Sequence, residues 1–307
     1  MAIYESQINT WANQGATVSA AATYTSVKAA LEHEKSPIKE LIANKKVIVY
    51  LQGSYRNGTN IRGDSDVDII VELKKTFGHD LSSLSKEEAI HHELSHSPAT
   101  YTWKDFRLDV IKALESYYGK LLVDSSGNKS IKLLPTSGRI KADIVPVIHF
   151  RKYWSFSGSN DYLAEEGIKF YHLKSGHAIV NYPKHHYDNG VEKNDKNRTA
   201  GLFKPSVRVF KNAREYLIDK RLITGDIAPS YFLQSLIYNV PDSCFCNSNH
   251  DTYFNVLKHL YENSLDEFIC QNEQTLLFGD TQEQWKKDDA EKFIANLVYL
   301  WDNWETI

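Results

Sequence analysis

Three aspartates stand at the start of an apolar run in the segment GSYRNGTNIRGDSDVDIIVEL, which covers residues 53–73. Asp66 and Asp68 are separated by one residue, so a strand directs both side chains to the same face. Two carboxylates at such a short distance repel each other unless a cation lies between them. Mg²⁺ is the natural cation, because it prefers oxygen ligands and commonly bridges carboxylates to substrate phosphates. The spacing therefore indicates metal-assisted chemistry on a phosphate-containing substrate.

Two further features favour this interpretation over a solvated acidic strand end or a polar turn at residues 63–65. The pair Gly53 and Ser54 precedes the acids, and a glycine with neighbouring amides and a hydroxyl can bind phosphate oxygens closely. Asp143 lies in the apolar stretch KADIVPV, where a lone charge is costly without a partner. If its strand pairs with residues 67–73, Asp143 becomes a third ligand of a two-metal site for Mg²⁺, with Mn²⁺ as the alternative ion.

The elements that must position these residues divide between the two halves of the chain. A long alanine-rich N-terminal helix is predicted at residues 7–34, ending before Pro37. Strands are predicted at residues 47–52, 67–73 and 139–150 and in SIKLLP, and the segment TWKDFRLDVIKALESYYGK is predicted to be a helix. The stretch HAIVNYPKHHYDNGVEKNDKNRTAG is predicted to be a loop, and helices dominate after it. The expected fold class is α+β, with a strand-rich lobe at residues 1–170 and an α-helical lobe at residues 171–307.

Composition excludes several classes of protein. The chain has 307 residues, of which 42% are hydrophobic and 24% charged, so a sizeable folded core is expected rather than disorder. Net charge is −3, which does not suggest a broad nucleic-acid-binding surface. Three cysteines suggest no disulfide framework. The first residues lack the features of a signal peptide and no apolar run reaches about 18 residues, so a cytoplasmic protein without a membrane partner is expected.

The pattern G-S-x11-D-x-D, followed by a distant aspartate, resembles the polymerase-beta-type nucleotidyltransferases. Four segments together resemble a narrower group, the bacterial cGAS/DncV-like nucleotidyltransferases (CD-NTases), and in particular their CdnE-like members. These segments are GSYRNGTNIRGDSDVDIIVEL, ADIVPV, KNRTAGLFKPSVRVFKNAR and APSYFLQSLIYNV. The resemblance covers roughly residues 45 to 245. It implies a two-lobed fold with a mixed β-sheet in the catalytic lobe.

The resemblance also implies a function. Such an enzyme makes a cyclic oligonucleotide second messenger from ATP, UTP or GTP in CBASS-type anti-phage defence, and a separate effector protein reads the product. The expected product is a 3′,3′-linked cyclic dinucleotide, formed when a ribose hydroxyl attacks an α-phosphate and expels pyrophosphate. Asp66, Asp68 and Asp143 are the expected metal ligands and catalytic residues. The alternatives are transfer to RNA or protein, and a catalytically inactive nucleotide-binding module.

Three basic residues, Lys204, Arg208 and Lys211, share one face of a predicted helix, while Val207, Phe210 and Ala213 can face the core. A solvated basic face is the simpler interpretation of the basic residues. The resemblance instead implies that these residues, chiefly Arg208 and Lys211, bind the donor triphosphate.

Three further residues are candidates for nucleotide binding. The resemblance implies that Ser230 binds phosphate and that Tyr231 stacks on a base. A helix cap and a core aromatic are the simpler interpretations of these two residues. Asn181 is expected in a lid, where an asparagine can recognise the edge of a pyrimidine; a turn residue is its alternative.

Overall fold

The computed structural model describes residues 2–62, 66–246, 248–281 and 283–307. Asp64 and the turn considered at residues 63–65 lie outside the described residues. The chain forms two compact units: a sheet unit (residues 16–55 and 63–183) and a helical unit (residues 1–15, 56–62 and 184–307). This division differs from the expected boundary at 170/171, because β-strand pairing continues to residue 181. It also places the first fifteen residues with the helices.

The elements are labelled in chain order. The strands are β1 (Val47–Gln52), β2 (Val67–Asp80), β3 (Val123–Asp124), β4 (Ile131–Leu133), β5 (Ala142–Gly158), β6 (Asp161–Tyr171) and β7 (Ala178–Asn181). The helices are α1 (Glu5–Ala12), α2 (Val18–Glu32), α3 (Lys39–Ala43), α4 (Gly53–Asn57), α5 (Lys86–Leu94), α6 (Trp103–Tyr118), α7 (Pro183–Lys193), α8 (Lys196–Thr199), α9 (Phe203–Asp219), α10 (Ser230–Tyr238), α11 (Asn249–Glu262) and α12 (Lys287–Asp302). No helix within the described ranges is long and apolar enough to cross a membrane.

The described strands form one mixed sheet in the order β1-β2-β5-β4-β3, and β6 and β7 extend it from the later part of β5. β2 and β5 pair in parallel, whereas β1 pairs with β2 antiparallel. Ile69, Val71 and Ile144 are fully buried in the core of the sheet unit. Strands that are apolar along most of their length are typical of a sheet with packed faces. This packing fixes the register of β2 and β5, which carry the acids.

Helix α6 shows how local sequence sets one packed element. Thr102 accepts a hydrogen bond from the backbone amide of Asp105, and Asp105 bonds back to Thr102, which caps the helix start. Phe106, Val110 and Leu114 are fully buried, as their spacing predicts. Tyr117 continues the same spacing, but the residue is 47% exposed near the helix end.

The N-terminal segment forms two helices, so the prediction of one helix over residues 7–34 is wrong. The chain turns at Gly15, whose amide donates to the Asn60 carbonyl over 3.0 Å, while Asn60 Nδ2 donates back to the Gly15 carbonyl over 2.9 Å. A Cβ on Gly15 would lie 2.7 Å from the Arg62 carbonyl carbon. This close backbone approach, which only glycine permits, ends the first helix early.

The helical unit has its own core, to which α1, α9, α10, α11 and α12 contribute. Val207, Phe210 and Ala213 of α9 are fully buried, in agreement with their expected orientation. The loop predicted around residues 177–201 is wrong, since this stretch contains β7, α7 and α8. The buried residues of α7 are His186, Gly190 and Lys193. The helix therefore lacks the apolar stripe from which helices are recognised.

A histidine cluster lies where α5 packs on β5 in the sheet unit. His92 is 1% exposed, and its ring centroid lies 4.2 Å from that of His96 and 4.9 Å from that of His79. Neither ring nitrogen of His92 has a hydrogen-bond partner among the described residues. Burial, together with the charges of His96, His79 and Arg151, lowers the pKa of His92 to about 4.

Acid is therefore expected to destabilise this part of the sheet unit. The unfolded chain binds a proton at His92 near pH 6.5, whereas the folded chain binds it only near pH 4. Neutral His92 thus contributes to the stability of the folded state above pH 6.5, and this contribution is lost as the pH falls toward 4. The thermal unfolding midpoint, measured from pH 8 to pH 4.5, should fall, and His92→Phe should make that fall shallower. An identical pH profile for His92→Phe would contradict this explanation.

Candidate active site

Four polar side chains form a row across neighbouring strands of the sheet unit. Asp68 on β2 is the register partner of Gln52 on β1 and of Asp143 on β5, and Asp143 is also opposite Lys132 on β4. Directly opposite residues place their side chains on the same face of a sheet. The strand adjacency on which the sequence interpretation of Asp143 depends is therefore present. It brings Asp68 and Asp143 together although they are far apart in sequence.

Gly53 packs against the carboxylate of Asp68. Its φ is +69°, and a Cβ built on it would lie 2.0 Å from Asp68 Oδ2. A side chain here would be strained by the backbone conformation and would overlap the carboxylate. Glycine at the end of β1 thus allows the Asp68 carboxylate to lie directly against the start of α4. Ser54 is the next residue of α4 and is half-buried.

Asp66 and Asp143 each have a partner in the sheet unit. Asp66 forms an ion pair with Lys141, and Ser130 Oγ donates to Asp143 Oδ1 over 3.2 Å. The hydrogen bond to Asp66, with the nearby charges of Asp66, Asp143 and Asp68, raises the pKa of Lys141. Lys141 thus supplies a positive counter-charge to Asp66, which the sequence interpretation overlooked. Lys141 occurs two residues before Asp143 in the sequence, so the predicted strand at residues 139–150 already places it near the acids.

The donor set fits a divalent metal ion by its chemistry. Asp68 and Asp143 present carboxylate oxygens from adjacent strands, the ligand type that Mg²⁺ and Mn²⁺ accept. Gln52 Oε1, in the same row, is buried without a hydrogen-bond partner among the described residues, so a further oxygen acceptor is unsatisfied there. Within the described part of the chain, which omits residues 63–65, no three or more His, Cys, Asp or Glu side chains already converge on a metal position.

Arg208 and Lys211 are engaged within the helical unit. Arg208 Nε donates to the Ala12 carbonyl over 2.6 Å, and its Nη1 donates to the Gly58 carbonyl over 2.6 Å. Lys211 Nζ donates to the Thr59 carbonyl over 2.9 Å, and Lys211 is only 6% exposed. The two cations therefore hold α1 and residues 56–62 against α9. The interpretation of a solvated basic face is wrong for these residues, while their binding of triphosphate stays a prediction.

Arg208→Ala is expected to destabilise the helical unit by about 3 kcal/mol, because two backbone carbonyls lose a charged donor. Arg208→Lys should recover only part of this loss, since an ammonium lacks the guanidinium fork. Denaturant unfolding without nucleotide measures the effect, with the exposed Lys258→Ala of α11 as the control. If Arg208→Ala unfolds like the unmodified protein, the contacts described above do not stabilise the unit.

Lys204 and Asn181 lie in different units. Lys204, in the first turn of α9, is half-buried, and burial together with the charge of Arg208 lowers its pKa. Its Nζ lies 5.7 Å from the ring centroid of Tyr187. Asn181 is the last residue of β7 and pairs with Ile168, so it ends a strand and is not a turn residue. Its carbonyl oxygen would be 2.8 Å from a Cβ on Gly167.

Ser230 and Tyr231 begin α10 in the helical unit. Pro229 occupies the N-cap position and Ser230 is the first residue inside the helix, so the helix-cap interpretation of Ser230 is wrong. Its hydroxyl accepts a 3.2 Å hydrogen bond from Arg214 Nη1. Tyr231 is 39% exposed, which also excludes a purely core role. Its ring stacks on His186, with centroids 5.1 Å apart. The sequence interpretation did not include Arg214 or His186. Arg214 comes three residues after Lys211 in the segment KNAR and could have been found from the predicted basic face. No sequence pattern indicates the contact of His186 with Tyr231.

Comparison with known proteins places this geometry in a family. Residues 36–121 match the nucleotidyltransferase domain, and residues 188–302 match the cGAS/DncV-like nucleotidyltransferase C-terminal helical domain. The chain is 43% identical over 305 residues to the cyclic UMP-AMP synthase of Rhodothermus marinus, covering 99% of each protein. This chain is a cGAS/DncV-like nucleotidyltransferase. Both the suspected family and the enzyme class are therefore confirmed.

A second relative and a solved structure extend the comparison. The chain is 41% identical over 310 residues to the cyclic nucleotide synthase CdnE01 of Staphylococcus haemolyticus, covering 99% of this chain and all of that one. The solved structure of the Rhodothermus marinus CdnE c-UMP-AMP synthase with Apcpp and Upnpp superposes with a TM-score of 0.87 at 42% identity, covering 99% of this chain and 98% of that one. The polymerase-beta-type nucleotidyltransferase fold is thereby confirmed.

Proposed function

We propose that this nucleotidyltransferase joins two nucleoside triphosphates into a 3′,3′-linked cyclic dinucleotide. The observation that carries the proposal is the register of β2 and β5, which sets Asp68 beside Asp143 and against Gly53. Support comes from relatives named as cyclic nucleotide synthases that match along 99% of the chain. An inactive nucleotide-binding module has no need of this arrangement of acids.

In the proposed reaction, Asp66, Asp68 and Asp143 would hold a divalent metal, Mg²⁺ or Mn²⁺. Such an ion supplies positive charge against the triphosphate oxygens and the leaving pyrophosphate. Asp143 accepts the proton of the acceptor's ribose hydroxyl, directly or through a water molecule. The hydroxyl oxygen forms a bond to the donor's α-phosphorus, and the bond to pyrophosphate breaks. A second transfer between the same two nucleotides closes the ring. Positioning and electrostatic stabilisation contribute most of the acceleration.

The remaining candidate residues bind the nucleotides in this proposal. Gly53 and Ser54 contact the terminal phosphates, because the glycine allows close backbone approach. The basic residues of α9 and the hydroxyl of Ser230 neutralise and bind the donor triphosphate. Tyr231 stacks on a base, and Asn181 recognises a base edge. The basic residues of α9 in this proposal are Lys204, Arg208 and Lys211.

ATP and UTP are the proposed substrate pair. The Rhodothermus marinus relative is named a cyclic UMP-AMP synthase, and its structure was solved with analogues of both nucleotides. Other relatives carry different names: the Legionella pneumophila protein is a cyclic dipyrimidine nucleotide synthase, and the Elizabethkingia meningoseptica protein a cyclic dipurine nucleotide synthase. In the cell, the product would act in CBASS-type anti-phage defence through a separate effector protein.

The proposal is tested by incubating the purified protein with labelled ATP, UTP, GTP and CTP, singly and in pairs, with Mg²⁺ or Mn²⁺. Phosphatase treatment removes unreacted nucleotides, and mass spectrometry with linkage-specific nuclease digestion identifies what remains. A phosphatase-resistant cyclic UMP-AMP with 3′,3′ linkages is expected from ATP and UTP. Labelled RNA or labelled protein in place of a small product would instead support a different acceptor. Absence of any transfer would support an inactive module.

A further inference from the structure

Tyr231 rests on a buried histidine. The rings of Tyr231 and His186 are nearly parallel, with an interplanar angle of 21° and centroids 5.1 Å apart. His186 is 7% exposed, whereas Tyr231 is 39% exposed. The imidazole thus supports the ring of Tyr231, and the tyrosine residue as a whole remains partly exposed. This is the arrangement expected of a stacking platform, because a ring that is already held loses little freedom when it binds a ligand.

The imidazole that supports Tyr231 is neutral at pH 7. Burial lowers the pKa of His186 to about 4, and its Nδ1 has no hydrogen-bond partner among the described residues. Nearly parallel packing of two neutral rings brings no charge beneath the tyrosine. His186 therefore supports Tyr231 through its flat, neutral ring and not through its capacity to carry a proton.

Gln271 joins the helices that carry the two rings. It is fully buried, and its Nε2 donates to the His186 carbonyl over 2.5 Å. Its Oε1 accepts from Gln234 Nε2 over 3.1 Å, and its backbone amide donates to Ser235 Oγ over 3.1 Å. Gln234 and Ser235 belong to α10, which begins with Ser230 and Tyr231, while His186 belongs to α7. Buried polar groups that are satisfied in this way fix the spacing of the elements they connect.

The packing around Gln271 leaves little room for the helices to shift. A Cβ on Gly190, one turn after His186 in α7, would lie 2.4 Å from Gln271 Nε2. Asn189 Nδ2 also donates to the Gln271 carbonyl over 2.8 Å. α7 therefore lies as close to Gln271 as its backbone allows.

We propose that His186 is a positioning residue that holds the ring of Tyr231 for stacking on a nucleobase, with Gln271 fixing the distance between the two helices. This inference rests on the proposed function, because it concerns the base that Tyr231 receives. His186 itself contacts the tyrosine and not the reacting atoms. It affects the binding of a nucleotide and takes no part in the chemical step.

The test compares His186→Ala, His186→Phe and Tyr231→Ala in the full-length protein. Binding of a non-hydrolysable ATP analogue and a UTP analogue is measured by calorimetry, and KM and kcat are measured for both triphosphates. His186→Ala should raise the Kd of one analogue and the matching KM roughly tenfold, the size of a weakened base–aromatic stack, while changing kcat little. His186→Phe, which keeps a flat ring without nitrogens, should restore both values.

The outcomes separate this inference from the proposed function. If Tyr231→Ala weakens binding and His186→Ala does not, the positioning role is overturned while base stacking by Tyr231 stands. If neither change affects binding, the role of Tyr231 within the proposed function is itself overturned. A His186→Phe protein as defective as His186→Ala would also reject the inference. If His186→Ala does not fold at the assay temperature, His186→Leu replaces it, since leucine fills volume without providing a ring.

Discussion

Changing Asp66 and Asp68 together to asparagine is expected to reduce product formation about a thousandfold or more while the protein stays folded. Asparagine has nearly the shape of aspartate but no negative charge, so the change removes the attraction for a divalent cation. Asp66 is exposed and lies directly before β2, and the core beneath it consists of apolar side chains that the change does not touch. Stability should therefore change little.

Product formation is measured with paired triphosphates, and folding by circular dichroism and thermal unfolding. Asp161→Asn is the matched control, because Asp161 is exposed at the turn between β5 and β6 and has no proposed role. Substantial activity in the double variant would remove the mechanism proposed above. An unfolded double variant would instead be replaced by Asp143→Asn, for which the same loss is expected.

Gly53→Ala is expected to lower activity by about a hundredfold. The added Cβ would lie 2.0 Å from Asp68 Oδ2, and φ at this position is +69°. The carboxylate must move to relieve this overlap, and a displacement of about 1 Å at a reacting centre can cost on the order of a hundredfold in rate. The left-handed backbone conformation adds a stability cost of about 1 kcal/mol. Activity should therefore fall much more than stability.

Gly138→Ala provides the control for this change. A Cβ on Gly138 would have no heavy atom within 4 Å, and its φ is not in the left-handed region. This variant should keep both the activity and the unfolding midpoint of the unmodified protein. Equal behaviour of the two glycine variants would show that the close approach of Gly53 to Asp68 is unimportant for the reaction.

The sequence predicted the acids and the strands that carry them, because β2 and β5 are apolar runs bounded by turn signals. It could not by itself establish that these two strands are neighbours. Parallel pairing of Asp68 with Asp143 depends on contacts between segments about seventy residues apart, and no local pattern records it. The resemblance to a known family supplied that expectation.

Local patterns failed where buried residues are polar. The sequence predicts a loop at α7 because no apolar stripe is present there. Its buried positions are His186, Gly190 and Lys193, and most of its other residues are polar as well. The spacing of Arg208 and Lys211 located them on one helix face, but their bonds to carbonyls of Gly58 and Thr59 depend on a distant segment. The stack of His186 on Tyr231 likewise depends on a contact between two segments that are distant in sequence. Such tertiary contacts between polar groups are not visible in hydrophobic periodicity.

The composition of the helical unit has a consequence for biosynthesis. Ile8 and Trp11 share one core with Phe293 and Leu297, and the ring of Trp11 lies 5.6 Å from that of Trp304. The apolar face of α1 is therefore covered only after α12 has been synthesised. The sheet unit can assemble earlier, during translation, since its last strand ends at residue 181. Nascent chains are expected to expose the α1 face longest, and this face is where a chaperone would bind.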